Sequence, residues 1–276
     1  MRSQTAELQR QIALELHVSA EFDATGEIER RVAFLVEELM RTSLRALVLG
    51  ISGGVDSSTA GRLCQMAVER VRLTGGQARF IAVRLPYGTQ RDEADAHAAL
   101  TFIRPDITLS IDIQPAVDAS MRAMGAAGHT IADPALADFV RGNVKARERM
   151  VVQYAIANSE QGLVIGTDHA AEAVMGFFTK HGDGACDLAP LAGLTKRRVR
   201  ALASTMGAPD ALVHKVPTAD LETLRPLHPD EAALGCSYEA IDDFLEQKPV
   251  DEPTAARIVA TFVRTAHKRT GPRTPR

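Results

Sequence analysis

Residues 46–58 read Ala46-Leu47-Val48-Leu49-Gly50-Ile51-Ser52-Gly53-Gly54-Val55-Asp56-Ser57-Ser58, and this stretch decides the fold. A short, continuous apolar run is what a strand buried on both faces leaves in a sequence. The two adjacent glycines permit positive φ and close approach of a ligand to the backbone, and a helix-forming stretch follows to about Arg72. Ligands of open α/β sheets bind beyond the carboxyl ends of strands. The N-terminus of the following helix adds unpaired N–H groups and the positive end of its dipole. The loop is therefore expected to receive an anion, with phosphate the natural guest.

Outward from this stretch the same punctuation repeats. Upstream, Ile28, Val32, Leu35, Val36 and Leu39 share one face of a 3.6-residue period and predict a helix over 27–41. Downstream, buried strands are expected at 80–83, 107–113 and 162–166, alternating with helices over 91–103, over 143–158 and from Asp168 onward. Strands alternating with crossover-length helices predict an α/β fold, a doubly wound, mostly parallel sheet flanked by helices. Beyond Pro190 the pattern turns helical, with segments over 196–206, 238–246 and 255–267. One domain is expected over residues 1–269, with 270–276 a flexible tail.

Composition narrows the classes of function. With 32 Lys+Arg against 35 Asp+Glu the net charge is −3, which disfavours a polybasic nucleic-acid or membrane-surface binder. Aromatics make up 4% with no Trp, too few for a base-stacking platform. The odd count of three cysteines, Cys64, Cys186 and Cys236, contains no CxxC pair and fits a reducing compartment. No leader-like apolar segment opens the chain, and no run of about 18 apolar residues appears. A cytoplasmic protein is expected, with no nucleic acid and no membrane as partner.

The loop SGGVDS (52–57) lacks the Lys of a GxxxxGK[ST] loop and the spacing of GxGxxG. It resembles the pyrophosphate-binding loop of the N-type ATP pyrophosphatases, adenine nucleotide alpha hydrolase-like enzymes that cleave ATP between its α and β phosphates. Further blocks run through most of the chain: RLPYGTQ (84–90), GNVKARERM (142–150), GTDHAAE (166–172), GFFTKHGDG (176–184), LTKR (194–197), PTADL (217–221) and HKR (267–269). Together, from about residue 27 to residue 269, they resemble ammonia-dependent NAD synthetase. That resemblance implies a homodimer with a deamido-NAD site at the subunit interface and an ATP site at the strand ends.

Carried over position by position, the resemblance assigns ATP binding to Gly50, Ile51, Ser52, Gly53, Gly54, Val55, Asp56, Ser57, Arg84, Gln90, Thr167, Lys196 and Thr218. It assigns deamido-NAD binding to Arg147, Lys180, Asp187, His267 and Lys268, and Mg²⁺ to Asp56 and Glu172. The chemistry of these side chains agrees: hydroxyls donate to phosphate oxygens, and carboxylates ligate a hard cation. Lys196 reads singly as an exposed Lys at a basic helix start, where a cation opposes the dipole and implies an anion nearby. His169 reads as a structural or orienting residue, since no HExxH is present.

The implied reaction adenylates the nicotinate carboxylate with ATP, releases pyrophosphate, and lets ammonia displace AMP to give NAD, with Asp187 or Asp183 a candidate proton acceptor. Because the synthetase blocks already reach Arg269, no length is left for a glutaminase, and free ammonia, or ammonia from an external supplier, is the expected donor. Two other readings stay open from the loop itself: a GMP-synthetase-like enzyme acting on xanthylate, and a non-catalytic adenine-nucleotide sensor on the same fold.

Overall fold

The computed structural model describes residues 2–88, 93–218, 223–224 and 228–275. The chain runs α1 (Arg2–Glu15), α2 (Ala24–Thr42), β1 (Ala46–Gly50), α3 (Val55–Leu73), β2 (Arg79–Arg84), α4 (Glu93–Ile103), β3 (Ile107–Ser110), α5 (Gln114–Ala126), α6 (Pro134–Glu160) and β4 (Gly162–Val164). Helices follow: α7 (Ala170–Met175), α8 (Lys196–Thr205), α9 (Asp210–Val213), α10 (Asp230–Leu234), α11 (Tyr238–Leu245), α12 (Glu252–Arg264) and α13 (Ala266–Arg269). The four strands pair in the order β3-β2-β1-β4, all parallel, with Val48 opposite both Ile81 and Val164.

The fold is α/β, a parallel sheet flanked by helices with a helical C-terminal part, and β1 sits inside the sheet because its side chains are apolar on both faces. Leu47, Leu49, Phe80 and Ala82 pack with Val32, Leu35, Leu63 and Leu202 from α2, α3 and α8. Ala46, Val48, Ile81 and Val83 pack on the opposite face with Val117 of α5 and Ala157 of α6. A further core joins the chain's two ends: Ile12 and Ala13 of α1 meet Val174, Ile241, Phe244 and Ile258 of α7, α11 and α12.

The chain walks outward from β1 through β2 to β3, then returns to the other side of β1 as β4. The order thus reverses between β1 and β4, where diverging crossovers open a crevice beyond the strand ends. The loop 51–54 lies at this point. Strand β3 is shorter than expected, ending at Ser110. Helix α6 is longer, starting at Pro134 behind an Asp133 cap that accepts from the Ala135 N–H. After β4 the chain stays extended through His169, and α7 starts only at Ala170.

Phe80 of β2 is fully buried, so Phe80→Ala is expected to cost about 3–5 kcal/mol in urea unfolding, whereas Leu73→Ala, at an 88% exposed position, stays within about 0.5 kcal/mol.

Candidate active site

The loop between β1 and α3 is held open by its own hydroxyls. Gly53 has φ +81°, and a Cβ there would lie 2.9 Å from the backbone nitrogen of Ala96. No residue with a side chain fits without displacing α4. The Ser52 N–H donates to Ser57 Oγ at 3.3 Å, the two Oγ atoms stand 3.1 Å apart, and the Gly54 N–H donates to Ser52 Oγ at 3.3 Å. Behind the strand end, Gln153 of α6 accepts the Gly50 N–H at 2.6 Å.

Asp56, one residue into α3, anchors a charged cluster. Its Oδ2 accepts from Lys196 Nζ at 2.7 Å, and its Oδ1 lies 3.5 Å from His169 Nε2, which is itself 3.6 Å from Glu172 Oε1. Lys196 is 1% exposed, so the expectation of an exposed lysine is corrected. The anions its position implied are protein carboxylates: Asp56 at the ammonium, and Asp242 of α11 at the helix start.

The charges adjust to this crowding. Loss of solvent pushes Asp56 upward, but the charge and hydrogen bond of Lys196 outweigh it and hold the carboxyl below its ordinary range. Loss of solvent and the Asp56 charge together raise Glu172 well above the usual carboxylate value. His169 is lowered to about 3 by burial and is neutral at ordinary pH. Lys196 stays charged, its burial outweighed by Asp56 and Glu172. Asp56, His169 and Glu172 bring donor atoms within 4.8 Å of one another, and Asp56 Oδ1 is buried with no hydrogen-bond partner among the described residues. Two facing carboxylates, one with an unsatisfied oxygen, fit a hard divalent cation.

A cavity of about 460 Å³ opens over the loop. Gly50, Ile51, Ser52, Gly54, Val55, Asp56, Ser57, Thr167, Glu172, Lys196 and Thr218 line it, as does Lys268. Gly53 shapes the loop without facing the cavity. Arg84 is not among the lining residues; its guanidinium makes a two-pronged pair with Glu93 of α4, each bond 2.6 Å. Gln90 lies outside the described residues.

Four of the five residues assigned to deamido-NAD come together, and of these Lys268 lines the cavity. Arg147 donates to the Lys180 carbonyl at 3.3 Å, and Lys180 Nζ to the His267 carbonyl at 2.6 Å. Lys268 Nζ donates to the carbonyls of Gly176 and Phe178, both at 2.8 Å. Asp187 stands apart, its carboxylate accepting the Val164 N–H of β4 at 2.7 Å. Reading the sequence missed the wall opposite the loop. Gly142, Ala146, Arg149 and Gln153 line the cavity from α6 at offsets 0, 4, 7 and 11, one helical face. Two small residues followed by two polar ones at that spacing were the available signal.

The family described as NAD synthase matches residues 27–272. The chain belongs to the NAD synthase family. Within it, the chain is 63% identical over 268 residues to the NH(3)-dependent NAD(+) synthetase of Streptomyces coelicolor, covering 97% of both chains. The structure is similar to the crystal structure of NAD+ synthetase from Burkholderia pseudomallei, with a TM-score of 0.85, 59% identity, and 96% and 97% of the two chains covered. It also resembles NMN synthetase from Francisella tularensis, with a TM-score of 0.79 and 32% identity over 92% of this chain and 99% of that one.

The loop geometry makes a direct prediction. Gly53→Ala places a methyl against the Ala96 backbone at a φ costly for any side chain, by about 1–3 kcal/mol. ATP binding measured by calorimetry is expected to weaken by about tenfold or more, while the same change at Gly75, whose Cβ meets nothing within 4 Å, leaves it unchanged.

Proposed function

We propose that this protein makes NAD by amidating the nicotinate carboxylate of deamido-NAD with ammonia, converting ATP to AMP and pyrophosphate, as a cytoplasmic, Mg²⁺-dependent homodimer. The observation that carries this reading is the Ser52–Ser57 loop at the end of β1 with Lys196 entering from α8: hydroxyls, helix N–H groups and an ammonium converge where a polyphosphate would lie. The Streptomyces coelicolor relative, an NH(3)-dependent NAD(+) synthetase, supports ammonia as the nitrogen donor and NAD as the product. Its membership class is that of ligases forming a C–N bond.

A carboxylate resists displacement of its oxygen by ammonia, so it needs activation. A carboxylate oxygen of deamido-NAD forms a bond to the α-phosphorus of ATP, and the bond from that phosphorus to the bridging oxygen breaks as pyrophosphate leaves. The α3 N-terminus, Ser52, Ser57 and Lys196 are placed to bind the departing charge, and fixed donors of this kind need no reorganisation as it develops. Asp56 and Glu172 would hold Mg²⁺, which when bound neutralises phosphate charge. Ammonia then bonds to the acyl carbon, AMP leaves with the former carboxylate oxygen, and the nitrogen loses one proton. Asp183 lines the cavity and stands as the acceptor over Asp187, which is turned to β4.

Arg147, Lys180 and Lys268 form a cationic rim, with His267 beside them, suited to the phosphates of the dinucleotide. The dimer is supported by Leu136 and Phe139, half-exposed apolar residues on the face of α6 beside that rim. Among the described residues no helix is long and apolar enough to cross a membrane, and the three cysteines are free.

The test is an assay with ATP, Mg²⁺, ammonium and one acceptor: deamido-NAD, nicotinate mononucleotide or xanthylate. NAD and AMP should form with deamido-NAD, and glutamine as sole donor should support little turnover. AMP formation dependent on xanthylate, or ATP binding without any AMP, would contradict the reading. Lys196→Met is expected to lower kcat/KM for ATP by about 10²–10³. Lys180→Ala should instead raise KM for deamido-NAD by about tenfold, the loss expected for one charged contact to a phosphate.

A further inference from the structure

The first turn of α8 does not cap itself. Its N-cap residue, Thr195, makes no side-chain bond to the helix N–H groups; its hydroxyl donates to Glu246 Oε1 at 2.9 Å instead. No acidic residue stands in that turn, which begins with the cations Lys196, Arg197 and Arg198. Left alone, such a turn sets three cations against the positive end of its own dipole.

Asp242 supplies what is missing, from a different helix. One carboxylate oxygen accepts the Lys196 N–H at 2.9 Å and the other accepts the Arg197 N–H at 2.7 Å. The residue is 2% exposed, so its charge is committed to this one turn. The neighbouring cations pair with other carboxylates of and beside α11: Arg197 with Asp243 at 2.7 Å, its Nε also 3.5 Å from Asp242, and Arg198 with Glu246 at 3.1 Å. Lys196 alone turns inward, its Nζ 2.7 Å from Asp56 and 4.9 Å from the centre of the Tyr238 ring. Tyr238 and Asp242 are four residues apart on α11 and so share a face. One lies under the ammonium of Lys196, the other under its backbone.

We propose that Asp242 is a positioning residue for the reaction: by gripping the first two N–H groups of α8 it sets the direction in which Lys196 enters the nucleotide cavity. The inference rests on the reading that Lys196 acts on the phosphates of ATP. A cap that only stabilised the helix would change the unfolding temperature and leave the kinetics of correctly folded enzyme alone. A positioning group changes the rate through Lys196 and through nothing else.

The experiment is a double-mutant cycle of Asp242→Asn and Lys196→Met, with kcat and both KM values read well below each variant's unfolding midpoint. Asn keeps the shape but presents an N–H to one of the two donors. Asp242→Asn is expected to lower kcat/KM for ATP about tenfold, the scale on which small misplacements act, with KM for deamido-NAD within about twofold. On top of Lys196→Met it should change the rate by less than about twofold, because the group it positions is gone. If the Asn variant fails to fold, Asp242→Ser restores one acceptor and is read the same way. A normal Asp242→Asn beside a slow Lys196→Met overturns the proposal alone, as does a loss that persists in full on the Lys196→Met background. A Lys196→Met enzyme with unchanged ATP kinetics removes the underlying reading of Lys196, and the proposal with it.

Discussion

The contact between Lys196 and Asp56 ties together two distant parts of the chain at the cavity. Asp56 belongs to the first turn of the helix after β1, and Lys196 to the first turn of a helix 140 residues later. A charge taken out of water costs free energy unless it is paired well, so this ammonium and carboxylate each stabilise the other's position. The N-terminus of α3 and the Lys196 side chain thereby meet in one space, while the N–H groups that open α8 are taken up by Asp242. Beside this pair, burial and the Asp56 charge raise Glu172 well above the usual carboxylate value.

Around this contact the rest of the site is a matter of supports. Gln153 holds the end of β1 from α6, and the Asn143 carboxamide oxygen accepts the Thr179 hydroxyl at 2.8 Å, bracing the loop that carries Lys180. Lys268 fastens the C-terminal turn to the Gly176–Phe178 segment. The cationic rim is thus made from α6, the loop after α7 and α13, elements far apart in sequence. A substrate crossing that rim would touch both the sheet and the C-terminal helices.

The β1–loop–α3 unit was legible because a strand buried on both faces and a glycine at positive φ each leave a local mark. The same holds for α2, whose buried residues fall on one stripe. Helices α1 and α5 were not read: α5 buries Val117 alone among its residues, so its sequence QPAVDASMRAMGA carries almost no periodic signal. Side-chain partners across long separations were beyond local pattern altogether. Lys196 reads as exposed because its carboxylates lie 46 and 140 residues away, and Asp187 gives no local sign that it caps a strand edge. Arg84 is written next to an apolar strand end, yet its charge is answered by Glu93 nine residues on.

The proposed reaction turns on a bond from the substrate carboxylate to the α-phosphorus of ATP, with the pyrophosphate leaving into the Ser52–Ser57 loop. Deamido-NAD labelled with ¹⁸O in its carboxylate tests this directly, by mass spectrometry of the products after turnover with ammonium. The label should appear in the phosphate of AMP, one atom for each NAD formed. Label found in inorganic phosphate or pyrophosphate, or retained wholly in the dinucleotide while ATP is cleaved, would contradict it.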